Sequence, residues 1–302
     1  MSYTKIIERA WQITRKHKPL WFFGFLLALF SVGGRGNEGR GMQYTMGWED
    51  RLPGPWVVGL IVAVIGVVAV LAIASIVLRY VSEGALIGMV REAEDAGETN
   101  VRSGWRAGWR RFLHLLAIDL MVGIPAAITV VILLGIGASP LLLLLAEVKV
   151  LTIIGVVMTI LLMLLAIASI IVLGTLLSVL RGFGFRACVL EQQGPWASLQ
   201  RSYHLLRQNG RQVVGIWLVM LGIGMAVNLA AIPVGLLIAA LVGGPTMAVY
   251  AMTKAMAPTV LIAAALGLVG ALIMAAVLSV YQVFRSTVWT LTYTEIAPRP
   301  QE

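Results

Sequence analysis

His114 and Asp119 are the first candidates for chemistry in this sequence, because they stand as His-x4-Asp. Acyl-transfer enzymes at membrane surfaces use this spacing to let a carboxylate orient a general-base imidazole. On one continuous helix, however, the two side chains lie ~140° apart, too far around the axis for a hydrogen bond. No second catalytic block follows, and the phosphate-loop, HExxH, GxSxG and EF-hand patterns do not occur. The sequence therefore predicts a protein that is not an enzyme and that uses no cofactor.

Metal and thiol chemistry have equally little support. Glu92 and Glu94 form an acidic cluster, but they have no histidine beside them. We interpret them as a solvated helix face and predict no metal site. The single cysteine, Cys188, excludes an intramolecular disulfide and a thiolate cluster. Its apolar neighbours predict a small buried residue with no redox role.

Asp119 and Asn228 are isolated polar residues within apolar segments. A carboxylate inside a membrane is costly and is by default a candidate functional residue. Asp119 lies shallow enough to pair with an arginine of a neighbouring interfacial helix, so we favour a structural ion pair over a proton relay. For Asn228 we favour a hydrogen bond between helices, with a transport site as the alternative.

The elements that position these residues are membrane-spanning helices. Hydrophobic residues make up 59% of the 302 residues and charged residues 12%, and the mean hydropathy is +0.91. A bilayer core needs ~20 apolar residues for each crossing. Because the apolar runs do not alternate as barrel strands do, the predicted fold is all-α, a single membrane domain over residues 1–302. We expect about six spans, near residues 19–32, 55–78, 113–138, 150–180, 213–242 and 258–284.

The distribution of basic residues predicts the orientation. With these spans, 18 of the 23 Lys and Arg residues fall on the side of the two chain ends. Since positively charged loops stay in the cytoplasm, both termini should be cytoplasmic. The net charge of +9 follows from the same bias. It predicts attraction to anionic lipid headgroups and no binding of nucleic acid.

A basic, aromatic segment precedes an apolar run at three places, including Arg9-Ala-Trp11 and Arg201-Ser-Tyr203. Such segments are typical of amphipathic helices in the membrane interface. We predict one over residues 4–18 and two inward helical hairpins, over 79–112 and 181–212. The side chains predicted to contact lipid or a partner are Arg9, Trp11, Trp105, Arg106, Trp109, Arg110, Arg111, Arg201, Tyr203 and Arg207. The alternative is that they only anchor the helices.

The segments Ile7–Trp11, Lys18–Trp21, Gly104–Phe112 and Leu199–Arg207 are similar to those of a group of bacterial multipass proteins. These resemble the membrane domain attached to some glycerophosphoryl diester phosphodiesterases. The resemblance implies the bacterial inner membrane, and a membrane module without chemistry of its own. We expect no catalytic domain after the last span, because the sequence ends at Glu302.

Two functions are compatible with these features. The first is a lipid-interacting or partner-binding membrane module, and the alternative is a transporter or exporter of a lipid-like or small hydrophobic solute. Gly267 and Gly270 permit close helix contact within one chain or in a homo-oligomer. The sequence leaves this choice open.

Overall fold

The structure is a computed structural model, and it describes residues 3–35, 55–95, 97, 99–146 and 149–297. Within these ranges there are helices and no strand, so the predicted all-α membrane fold is confirmed. The eight α-helices, numbered along the described chain, are α1 (Tyr3–Lys16), α2 (Pro19–Arg35), α3 (Pro55–Asp95), α4 (Val101–Ala138), α5 (Lys149–Leu190), α6 (Pro195–Gln208), α7 (Gly210–Thr253) and α8 (Met256–Ile296). A 3-10 helix, Ser139–Ala146, follows α4.

Local sequence explains several helix boundaries. Helices α2, α3 and α6 begin at a proline, whose missing N–H costs nothing at that position. Gly97, with a φ of +71°, lies in the turn after α3, where a side chain would be strained. Lys254 adopts a left-handed φ of 47° between α7 and α8.

Five of the described helices are long and apolar enough to cross a membrane, and a sixth, α2, is shorter. These five correspond to the last five predicted spans. That α2, with 17 residues, crosses the membrane stays a prediction. The long helices run past the predicted span limits, because the hairpin arms continue the spans without a break. Helix α3 reaches Asp95, and α4 joins residues 101–112 to the span that follows.

Contacts divide the chain into two compact units, one of Met1–Phe112 with Arg211–Glu302 and the other of Leu113–Gly210. In the first unit, side chains from α1, α2, α3, α7 and α8 share one hydrophobic core. Its fully buried members include Leu20, Phe23, Leu86 and Met89, all of which have 0% exposure. Burying each such side chain contributes about 1.5–3 kcal/mol in water, and less in lipid, where packing dominates.

Three buried threonines in α8 belong to this unit. Thr287 and Thr292 donate hydrogen bonds of 2.8 Å to the carbonyls of Val283 and Val288, one turn earlier. Thr290 donates likewise to Ser286. Because each hydroxyl bonds within its own helix, these three threonines are buried without leaving a donor unsatisfied.

Glycine residues lie where neighbouring helices approach each other most closely. A Cβ at Gly270 would come within 2.5 Å of Ile238 Cγ2 on α7, whereas one at Gly267 would meet nothing within 4 Å. Gly270 therefore serves the contact of α7 with α8 inside the chain. In the second unit, a Cβ at Gly184 of α5 would lie 3.3 Å from Leu199 of α6. A homo-oligomer stays a prediction.

Candidate functional surface on helix α4

The three predicted surface segments fold as α1, the first three turns of α4, and α6, and they share one helical register. In each helix a small residue is buried: Ala10, Gly108 and Ser202. The residue after it is a half-exposed aromatic: Trp11 at 52%, Trp109 at 52% and Tyr203 at 55%. The repeat seen in the sequence is therefore also a repeat in burial. At equivalent positions of the three helices the small residue points inward and the aromatic residue points outward.

Glycine lets α4 approach α3 closely. A Cβ at Gly108 would overlap the Val81 carbonyl and would come within 3.1 Å of the Ala85 nitrogen, both of them backbone groups of α3. A Cβ at Gly104, one turn earlier, would meet the flexible thioether of Met89. The two glycines therefore fix the face of α4 that points inward, and so they fix which residues point outward.

An aromatic row runs along α4 and continues onto α2, where it includes the fully buried Phe23. Its members are Phe22, Phe23, Trp105, Trp109 and Phe112. Neighbouring ring centroids are 5.4–6.5 Å apart, and the indoles of Trp105 and Trp109 are stacked at 6.2 Å. Such spacings are those of favourable aromatic pairs. Tryptophan prefers the headgroup level of a bilayer.

An arginine row runs beside the aromatic row. Arg102, Arg106 and Arg110 are spaced four residues apart, so they share one face of α4, and all three are exposed. Their guanidinium groups have no hydrogen-bond or ion-pair partner in the described part of the chain. Arg111, which the sequence groups with them, is partly buried and does interact with other groups. The arginine row thus carries three positive charges without a counter-charge among the described residues.

One arginine of each of the other two surface helices is paired. Arg9 of α1 lies 3.5 Å from Glu94 of α3, and Arg201 of α6 lies 3.5 Å from Glu191. These pairs attach each helix to the end of a long helix. On α6, exposed Arg207 remains a candidate contact, and the ring of Tyr203 contacts His204. Trp11 packs edge-on against Phe284 at 6.1 Å.

The acidic cluster is not the solvated face that the sequence predicts. Glu92 accepts a hydrogen bond of 2.7 Å from Ser103, and Glu94 is engaged by Arg9. Both carboxylates are partly buried, because α1 and α4 pack beside them. Among the described residues no group of three or more potential metal ligands is found.

The intramembrane polar residues each have an internal partner. Asp119 accepts a hydrogen bond of 2.5 Å from Arg181 of α5, whose guanidinium lies 6.0 Å from the ring centre of Phe185. Asn228 donates to the Gly224 carbonyl of its own helix at 2.7 Å, and not between helices. His114 Nδ1 has no hydrogen-bond partner in the part of the chain described, and the structure shows no bond from His114 to Asp119.

His17, between α1 and α2, gives a pH-dependent prediction. Burial, and secondly the nearby charge of Lys16, lower the pKa of His17 from 6.5. The pKa of His17 is lower in the folded chain than in the unfolded chain, so the unfolded chain takes up a proton first as pH falls below 6.5. The free energy of unfolding therefore decreases as the pH decreases. We expect the melting temperature in detergent to drop on acidification, and to drop less in His17→Gln. Equal pH slopes in both proteins would contradict this assignment.

The long apolar helices and the basic, aromatic surface helices together define a multipass all-α membrane protein. Its sequence matches the model of a family of unknown function, DUF7544, over residues 19–293, and the chain belongs to that family. The comparisons with curated proteins and with solved structures found no match.

Proposed function

We propose that the protein is a non-enzymatic membrane module that binds anionic lipid headgroups through the arginine row and the aromatic row of α4. The observation that supports this most strongly is the grouping of three exposed arginines on one face of α4, beside the tryptophans. Arg9 and Arg201 have carboxylate partners within the chain, whereas the arginine row has none among the described residues. Exposed cationic side chains attract anionic headgroups, and tryptophan side chains prefer the headgroup level of the bilayer.

The location follows as part of the same proposal. If both termini and the hairpins are cytoplasmic, α4 begins at the inner leaflet of the bacterial inner membrane, where anionic lipids meet positively charged segments. The likeness to the membrane domains of glycerophosphoryl diester phosphodiesterases stays a prediction, and so does a membrane-protein partner. Asp119 and Asn228 both have internal partners, so these residues give the transport alternative no added support.

The experiment compares the unaltered protein with a triple variant of the arginine row, both in nanodiscs of neutral lipid that contain some phosphatidylglycerol. It measures how much phosphatidylglycerol each protein retains. Each basic residue near a charged surface contributes about 1 kcal/mol, so removing three should weaken retention of the anionic lipid roughly 100-fold. The variant carries Arg102→Gln, Arg106→Gln and Arg110→Gln. Native mass spectrometry of the ejected complexes counts the lipids retained.

A second triple variant, on α1, is the matched control. It removes the same charge from exposed positions on another surface helix of the same unit, through Lys5→Gln, Arg15→Gln and Lys16→Gln. We expect it to retain more anionic lipid than the α4 variant. Equal losses in both would show nonspecific attraction by net charge and would refute a binding surface on α4.

A further inference from the structure

A cleft of about 310 Å3 opens at the start of α4, and it is lined by Asn100, Arg102, Ser103 and Arg106. We call these four residues the headgroup cleft. Its volume is at the lower end of the ~300–1,000 Å3 range of small-molecule sites, enough for one polar headgroup but not for a whole lipid. Two of its four lining residues are Arg102 and Arg106, whose guanidinium groups have no partner among the residues that the structure describes.

We infer that the headgroup cleft binds the phosphodiester group of an anionic phospholipid, an inference that rests on the proposed lipid-binding function. Arg102 and Arg106 stand one helical turn apart on the same face. Planar guanidinium groups offer paired N–H donors that fit phosphate oxygens, and they remain charged at every physiological pH. Two such groups on one cleft can hold both non-bridging oxygens of a phosphodiester.

Hydrogen bonds hold the walls of the cleft in place before a ligand arrives. The Arg102 backbone N–H donates to Asn100 Oδ1 at 3.1 Å. The Ser103 hydroxyl lies 2.7 Å both from Glu92 Oε2 on α3 and from the Asn100 carbonyl. Because the lining backbone is tied to α3, binding has to order little beyond the two arginine side chains.

The charge balance favours a phosphate with one negative charge. Glu92 is bonded to Ser103, so one carboxylate stands behind a cleft that presents two guanidinium groups. Among the described residues these three groups leave a surplus of one positive charge, and a phosphodiester headgroup such as that of phosphatidylglycerol carries one negative charge.

The aromatic row identifies the source of the phosphate as a lipid. Trp105 lies between Arg102 and Arg106 in sequence, and from it the rings continue to the exposed Trp109 and the half-buried Phe112. Indole rings at headgroup depth pack against the glycerol region and the upper acyl chain. A free phosphate ester would use the arginines but would gain nothing from this row.

The experiment titrates the intact chain in neutral detergent with phosphatidylglycerol and determines Kd by native mass spectrometry. Arg102→Gln and Arg106→Gln should each raise Kd at least tenfold, since each removes charge-assisted hydrogen bonds. Arg110→Gln, in the same row but outside the cleft, should raise Kd only about fivefold. Arg15→Gln is the matched control, because it removes one exposed arginine of the same unit on α1, outside the arginine row. Screening at ~8 Å should limit its effect to about twofold.

Two further arms fix the chemistry of the ligand. Oleate, a carboxylate lipid of equal charge, should bind at least tenfold more weakly than phosphatidylglycerol if the cleft recognises phosphate geometry. Soluble glycerol phosphate should fail to displace the lipid at equal concentration. Displacement at equal concentration would show that the cleft binds free phosphate esters, which overturns the lipid assignment.

The failures of the two proposals are distinguishable. If phosphatidylglycerol binds but Arg110→Gln weakens it as much as Arg106→Gln, the cleft assignment is wrong and the lipid-binding function stands. Oleate binding as tightly as phosphatidylglycerol would likewise refute the cleft assignment alone. If the unaltered chain binds no anionic lipid, the proposed function fails and the cleft assignment fails with it.

Discussion

Gly108→Ala is expected to disrupt the packing of α4 on α3 and to lower the yield of monodisperse protein sharply. The new Cβ would overlap the Val81 carbonyl and press on the Ala85 nitrogen. Both are backbone groups of a helix, so neither can move away without shifting α3. Overpacking a well-packed site costs typically ~1–3 kcal/mol, and a rigid backbone places this case at or above the upper end. Size-exclusion chromatography and thermal unfolding followed by circular dichroism measure the effect.

Two other glycines of α4 provide the controls. Gly123→Ala meets nothing within 4 Å, so it should be neutral or gain up to ~1 kcal/mol of helix propensity. Gly104→Ala meets the side chain of Met89 and, at 3.0 Å, the ring of Phe23; because these are side chains and not backbone, its effect should be intermediate. If Gly108→Ala behaved like Gly123→Ala, the close contact of α4 with α3 would be refuted.

Hydropathy was sufficient to predict the membrane class, because the length and composition of an apolar run are local properties. It placed five long apolar helices close to their positions. Hydropathy could not show that α3 and α4 continue through the interface into the hairpin arms. An amphipathic segment has the same helical periodicity whether it continues the membrane span or forms a separate helix. In the folded chain Gly108 packs against the backbone of α3, a contact between distant residues that hydropathy does not report.

The candidate surface was predicted in part. The sequence grouped Arg9, Arg106 and Arg201 together, because all three stand beside aromatic residues at the start of an apolar run. The structure separates them by their partners, since Arg9 and Arg201 reach carboxylates that only the folded chain brings near. Composition cannot reveal which charges are neutralised, so the distinction between paired and partnerless arginines required the folded structure. The cleft beside Ser103 was missed for the same reason.

Asp119→Asn and Arg181→Gln should each destabilise the protein by about 2–3 kcal/mol, because each removes one side of a charge-assisted hydrogen bond. The bond is 2.5 Å long, and both side chains are mostly shielded from solvent by the chain. Labelling of the single cysteine, Cys188, measures this loss of stability. Cys188 is fully buried in the same unit, so the rate at which a thiol-reactive dye labels it on heating reports unfolding there.

The double variant Asp119→Leu with Arg181→Leu distinguishes a structural ion pair from a proton relay. Replacing both charges with apolar side chains removes the desolvation cost along with the attraction, so stability should return to within about 1 kcal/mol of the original. Breaking the exposed pair Arg91–Asp95 through Asp95→Asn is the control, and it should cost no more than ~0.5 kcal/mol. A relay predicts instead that single variants keep their stability while proton flux into liposomes falls. Stable single variants would therefore reject the structural role and reopen the transport alternative.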